Sequence, residues 1–307
     1  MKKKIIIVVS LILILAISIF QFFVHLTSND LPCAAENKML ILTVYGGGVV
    51  DGIYPTPDDF PYTNEDGMPI LIAHGGGAID GKIYTNSYEA VKNSIEVVAY
   101  DFVELDLREM ADGKLGAIHE MDEFNTMTGF AGDTGKITSE DLKTRRIYGT
   151  YRPLLAPDIN DLFGNSDVFL VTDKIGNFDL LNDEITIDRE KMLVEVFSYQ
   201  SYVRALRKGI KYPMLCIWSE KDLARFWVLL KLKKIKMITI PVGLITACPA
   251  ELKELYDSGV VIFAFTSNDA DFIIEHGGST VSGFYTDSIS YNMLQNSYDL
   301  EKNRRRD

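Results

Sequence analysis

From residue 69 onward the chain alternates between short apolar runs and helix-like segments, and this alternation restricts its fold more than any other feature. The runs are Ile70 to Ala73, Phe102 to Leu107, Leu115 to Ile118, Val168 to Thr172, Leu193 to Phe197, Met214 to Trp218, Met237 to Val242 and Val260 to Phe265. Between them, Asn86 to Val98, Tyr199 to Lys208, Ser219 to Lys233 and Pro249 to Ser258 have helical composition and length. Strands that alternate with helices imply a parallel sheet, and eight strands favour its closure into a barrel of about 250 residues. A doubly wound open sheet is the competing arrangement. It ranks second, because the chain offers no glycine-rich dinucleotide turn with a downstream ribose-binding acid. The fold class expected is therefore α/β, a β/α (TIM) barrel over residues 67–295, with a polar tail over 296–307.

Ahead of the barrel, Met1-Lys2-Lys3-Lys4 precedes an almost unbroken apolar run from Ile5 to Leu26. As a helix this run is long enough to cross ~30 Å of hydrocarbon. A cleaved signal peptide usually has a shorter apolar region, about 7–15 residues, and a small-x-small cleavage site, which is missing after Ile19-Phe20-Gln21-Phe22-Phe23. Lipoprotein processing at Cys33 is a third reading, weakened by Pro32 immediately before it. We expect a transmembrane helix within residues 1–28, with the lysines cytoplasmic and the rest of the chain outside the cell membrane. Residues 29–66 then form a linker or barrel-capping segment, rich in turn chemistry such as Tyr54-Pro55-Thr56-Pro57-Asp58-Asp59. Within it, Leu42 to Gly52 echoes Leu71 to Gly81, with Tyr45 where the later copy has His74; two similar strand-to-glycine turns explain this better than a duplicated site. Of three cysteines, Cys216 lies in an apolar run and reads as a core residue. A formal net charge of −12 argues against nucleic acid as a partner.

The chemistry-bearing residues fall at the ends of the strand candidates. His74 ends the first, Glu104 and Asp106 lie late in the second, His119 ends the third and Asp173 ends the fourth. In a β/α barrel the C-terminal strand ends form one face, so these residues would converge there. Glu104 and Asp106 are two apart and share one side of a strand. Two acids facing an interior are costly unless a positive group neutralises them, and a bound cation does so. An all-oxygen set of Glu104, Asp106 and Asp173 suits one hard divalent cation, Mg²⁺ or Ca²⁺. Solvated acids at a strand end are the plain alternative. A lone histidine on a strand end is more often structural, but two beside paired acids are what in-line phosphoryl chemistry requires: a base for the attacking oxygen and an acid for the leaving one. Gly75 and Gly76 could let backbone amides approach a phosphate, and Lys174 could pair with a phosphate oxygen. His276, in Glu275-His276-Gly277, reads as a surface residue.

Taken in order, Leu71-Ile72-Ala73-His74-Gly75-Gly76, Thr85-Asn86-Ser87, Phe102-Val103-Glu104-Leu105-Asp106, Asp112-Gly113-Lys114, Ile118-His119-Glu120 and Gly283-Phe284-Tyr285-Thr286-Asp287 resemble the glycerophosphodiester phosphodiesterases. That family belongs to the phosphatidylinositol-specific phospholipase C-like superfamily, and the likeness extends over about residues 69–290. It implies a β/α barrel, His74 and His119 as the acid/base pair, Glu104 and Asp106 as metal ligands, and a glycerophosphodiester or related polyol or lipid phosphodiester as substrate. Three positions depart from the family's pattern. Gly75 replaces the arginine of His-Arg-Gly, Thr85 replaces the glutamate of Glu-Asn-Thr, and Thr172-Asp173-Lys174 sets acid and lysine side by side where one residue usually separates them. Either Asp173 coordinates and the lysine has slipped, or Lys174 keeps its place and a ligand is lost; the first is preferred, because two acids alone make a thin site. The set Glu104, Asp106 and Asp173 is closer to the sphingomyelinase D-like pattern of the same superfamily. The substrate class is thus a phosphodiester hydrolase's, with two alternatives: a lyase or transferase releasing a cyclic phosphate, and a barrel that only binds an anionic cell-surface polymer.

Overall fold

The computed structural model describes residues 68–129 and 136–304. The expected transmembrane segment, the linker and the Leu42-to-Gly52 echo lie outside the described residues. Among the described residues no helix is long and apolar enough to cross a membrane.

Eight parallel strands close into a barrel: β1 (Ile70–Ala73), β2 (Phe102–Glu109), β4 (Phe169–Asp173), β5 (Met192–Val196), β6 (Tyr212–Cys216), β7 (Met237–Pro241), β8 (Val261–Phe265) and β9 (Gly283–Thr286). Closure is made by β1, which pairs with β2 on one side and β9 on the other. The remaining strand, β3 (Leu115–Ala117), pairs antiparallel with the end of β2, Leu107 opposite Ala117 and Glu109 opposite Leu115.

This corrects one expectation. Leu115 to Ile118 is not the third barrel strand but the return arm of a hairpin, and the eighth barrel place belongs to Gly283–Thr286. The reason is chain length. Only Met110 to Lys114 separate β2 from β3, whereas a parallel crossover needs a dozen residues or more. Asp112-Gly113 supplies the tight turn instead, with Gly113 at φ +74° and its amide donating to the Met110 carbonyl.

Alternation along each strand sorts the core into two layers. Ile72, Phe102, Val171, Leu193, Met214 and Phe263 fill the barrel interior. Leu71, Val103, Leu105, Leu170, Val194 and Ile262 face outward, against the surrounding helices. The helix Glu220–Lys231 shows how one is fixed. Ser219 caps it by accepting from the Asp222 amide, and Leu223, Ala224, Trp227 and Leu230 turn one buried stripe to the barrel. The last helix, Tyr291–Arg304, runs through the position at which the sequence places the start of a polar tail.

Candidate active site

The interior layer turns from apolar to acidic at the C-terminal end of the barrel. On β2, Glu104 and Asp106 point inward while Val103, Leu105 and Leu107 are buried outside. Parallel register then sets Asp106 beside Asp173 of β4. One oxygen from each of Glu104, Asp106 and Asp173 lies within 4.8 Å of the others. Burial, joined by the charges of Asp106 and Asp173, holds the Glu104 carboxyl well above the usual carboxylate range. Burial and the charges of Asp106 and Glu195 do the same to Asp173, partly opposed by Lys174. Asp173 Oδ1 is buried without a hydrogen-bond partner. Three clustered acids without a counter-charge of their own, two of them raised and one with an orphaned oxygen, fit a hard divalent cation.

Asp106 is aimed by its neighbours. Asn86 Nδ2 donates to Asp106 Oδ2 at 2.8 Å, and Asn86 Oδ1 accepts from the Asp106 amide at 3.0 Å. The Tyr84 hydroxyl donates to Asp106 Oδ1 at 3.3 Å. Burial, then the charges of Glu104, Asp106 and Asp173, push that phenol far up, so it stays protonated.

Both histidines line the same cleft, with Glu104, Asp173, Lys174 and Glu195. His74 directly follows β1. Its Nδ1 sits 2.9 Å from Asp287 Oδ1, just past β9. Asn268 Nδ2 donates to the other Asp287 oxygen at 2.6 Å, and Asn268 Oδ1 accepts from the Asp287 amide. Burial raises Asp287, but the hydrogen bonds from His74 and Asn268 outweigh it and hold the carboxyl below its ordinary value. His119 reaches the cleft by another route. The hairpin folds back until the Ile118 amide donates to the Asp106 carbonyl at 2.8 Å. Arg108 Nε, from β2, donates to the His119 carbonyl at 2.8 Å, and Nη2 of the same residue meets Glu120 at 2.8 Å. His119 Nδ1 lies 2.7 Å from Glu123 Oε2, one turn into the helix Met121–Thr128. With a carboxylate on each Nδ1, each ring is left with Nε2 for a substrate.

Lys174 stands at the cleft with Nζ 3.8 Å from Asp173 Oδ2 and 4.0 Å from Glu120 Oε1. The two glycines lie elsewhere. The Gly75 amide, expected at a phosphate, donates to Glu104 Oε2 at 2.7 Å, and Gly76 is buried against Val91 with its carbonyl accepting from Ser94 Oγ. Neither lines the cleft. Thr85, at the position where the resemblance expects an acid, is buried and pairs with Ser87 Oγ at 2.8 Å.

Several site residues escape the sequence reading. Glu195 of β5 faces the interior and accepts from the Tyr285 hydroxyl at 3.1 Å, its carboxyl raised by burial. A lone acid within Met192-Leu193-Val194-Glu195-Val196 is the signal that could have found it. Asp287 is visible only as a member of Gly283-Phe284-Tyr285-Thr286-Asp287, without a role. Tyr84 carries no signal at all, since its place depends on the loop's path. Phe197 and Trp218, two residues past inward-facing strand positions, form with Phe265 an aromatic rim to the cleft, Trp218 and Phe265 packing edge to face at 5.3 Å.

No family model and no curated protein matches the chain by sequence. Its structure is similar to several solved ones. A glycerophosphodiester phosphodiesterase from Thermotoga maritima aligns at TM-score 0.54 and 21% identity, over 76% of this chain and 98% of that one. The fold is similar to that of solved glycerophosphodiester phosphodiesterases. An Oleispira antarctica phosphodiesterase in complex with its product sn-glycerol-3-phosphate aligns at 0.62 and 15% identity, over 76% and 97% of the two chains. A glycerophosphoryl diester phosphodiesterase from Parabacteroides distasonis gives 0.58 and 15%, over 81% and 94%. At these identities the likeness is one of fold.

Proposed function

We propose that this chain cleaves a phosphodiester bearing a glycerol or related polyol group, by two-histidine acid/base catalysis at a divalent cation. One observation carries the reading: two imidazoles, each with Nδ1 on a carboxylate, line one cleft with the three-acid cluster. The barrel shared with glycerophosphodiester phosphodiesterases, and the sn-glycerol-3-phosphate held by the Oleispira antarctica protein, support the glycerol part.

Glu104, Asp106 and Asp173 would hold the cation, Mg²⁺ or Ca²⁺, which when bound neutralises these acids and polarises a phosphate oxygen. Lys174 pairs with a further phosphate oxygen. Nε2 of one histidine takes the proton of the nucleophile as its oxygen bonds to phosphorus. Nε2 of the other, protonated, gives its proton to the alcohol oxygen as the bond from phosphorus to that oxygen breaks. The carboxylates on Nδ1, Asp287 and Glu123, hold each ring in orientation and stabilise its charged form. Water as nucleophile gives a hydrolysis product, whereas a neighbouring substrate hydroxyl gives a cyclic phosphate, and phosphorus NMR of the products separates the two.

The test is an assay of the full chain against glycerophosphodiesters and lysophospholipids, with and without chelator. Chelation should abolish turnover, and His74→Ala and His119→Ala should each lower it by a factor of ~10² to 10⁴. Near-wild-type turnover in His119→Ala would remove the reading.

The sequence further supports a single-pass cell-membrane protein with its catalytic domain outside, through Ile5 to Leu26 and the lysines before them. The full chain should pellet with membranes after carbonate washing, and a chain lacking residues 1–28 should not. Full-length chain in the soluble fraction would count decisively against an anchor.

A further inference from the structure

The loop between β1 and the helix Tyr88–Asn93 carries one residue that the acid/base reading leaves without a task. Tyr84 is held at φ +59°, a backbone conformation uncommon for a bulky residue and found where the surrounding structure enforces it. Its ring stands between the two histidines, centroid to centroid 4.3 Å from His74 and 4.5 Å from His119. Its hydroxyl reaches the acid cluster, donating to Asp106 Oδ1 over a long 3.3 Å. A neutral donor is thus placed where the histidines and the carboxylates meet, which is where a phosphodiester must sit if those groups are to act on it.

The neighbouring turn shows what Tyr84 displaces. A Cβ on Gly75 would come within 2.5 Å of Tyr84 Cδ2 and 2.8 Å of its Cα. A side chain at position 75 and the present Tyr84 therefore exclude one another. Position 75 is also where this sequence departs from the His-Arg-Gly of the resemblance, so glycine offers no donor side chain beside His74 and the Tyr84 ring stands in that space. The Gly75 amide does not replace it, being bound to Glu104.

We propose that Tyr84 binds the substrate, donating its phenolic proton to a non-bridging phosphate oxygen in the space that a side chain at position 75 would otherwise take. The inference rests on the phosphodiesterase reading above and assigns it a further phosphate-binding residue. In the cation-free cleft the hydroxyl donates to Asp106 Oδ1. With a cation held by Glu104, Asp106 and Asp173, the phenol would be available to donate to the phosphate instead.

Tyr84→Phe tests this, because it keeps the ring between the histidines and removes only the donor. With Mg²⁺ saturating, KM for the diester and the inhibition constant of sn-glycerol-3-phosphate should both rise about 10- to 100-fold, the worth of one hydrogen bond to a charged oxygen. The turnover number and the half-saturating Mg²⁺ concentration should move little. Unchanged KM and inhibition constant would overturn the proposal. So would a variant altered only in its Mg²⁺ requirement, since Tyr84 would then serve the cation. If the wild type turns over none of the diesters, the phosphodiesterase reading fails, and calorimetry with sn-glycerol-3-phosphate and Mg²⁺ still decides for Tyr84: weaker binding to Tyr84→Phe upholds it, while equal or absent binding ends it. If His119→Ala remains active while Tyr84→Phe shifts KM, the acid/base assignment falls and Tyr84 stands.

Discussion

A histidine acts as acid or base only when something decides which of its nitrogens faces the substrate. For His74 that is Asp287, itself fixed by Asn268. Asp287→Asn keeps the size but can present its amide nitrogen to Nδ1, which favours the wrong tautomer. Turnover should fall on the order of 10²- to 10⁴-fold with little change in KM; steady-state kinetics checks this. The same pair has a pH signature. The folded-state pKa of Asp287 lies below its unfolded value, so its contribution to stability is complete above the ordinary aspartate pKa of about 3.9. That contribution is lost as pH falls through the lower folded value. Asp287→Asn should therefore flatten the acid limb of unfolding free energy against pH, and an identical limb would mean that the pair adds nothing to stability. His74 and His119 are legible in the sequence because each ends an apolar run beside paired acids. Asp287 is not legible as a partner, because more than two hundred residues of chain separate it from His74, and only barrel closure brings β9 to β1.

At the level of elements, the hairpin of β2 and β3 delivers His119. Periodicity alone cannot tell a barrel strand from a hairpin arm, since both are short and apolar; the five residues between them and Asp112-Gly113 do tell, through the turn they permit. What anchors the arm is Arg108, whose guanidinium spans the carbonyls of Ile118 and His119 and the Glu120 carboxylate. Arg108→Met keeps the aliphatic stem and removes the clamp. The turnover number should drop about tenfold or more, since a small misplacement of an acid or base is costly, while far-UV circular dichroism stays unchanged. Wild-type turnover would show that β3 and the helix Met121–Thr128 hold His119 unaided.

For the molecule as a whole, the cleft is a ring of carboxylates at one end of an otherwise apolar cylinder. Burial and mutual repulsion raise Glu104 and Asp173, so the cation-free fold bears a cost that a divalent ion removes. Mg²⁺ or Ca²⁺ at about a hundred times its dissociation constant should stabilise the fold by ~2.7 kcal/mol. For a domain of this size that is a rise in Tm of roughly 5–10 °C, measured by thermal denaturation against a chelated control. Asp173→Asn should abolish most of the rise, and an equal rise in that variant would place the ion elsewhere. The sequence by itself determined the alternation of strands and helices that favours a barrel, and which acids and histidines stand at strand ends, because apolar periodicity and the pairing of acids two apart are local properties. The tertiary structure alone decided that Gly283–Thr286 and not Leu115–Ala117 completes the ring, that Gly75 supports Glu104, and that Tyr84, Glu195 and Asp287 join the site. Those outcomes depend on connection length, strand register and closure, which bring together groups that no window of the sequence contains.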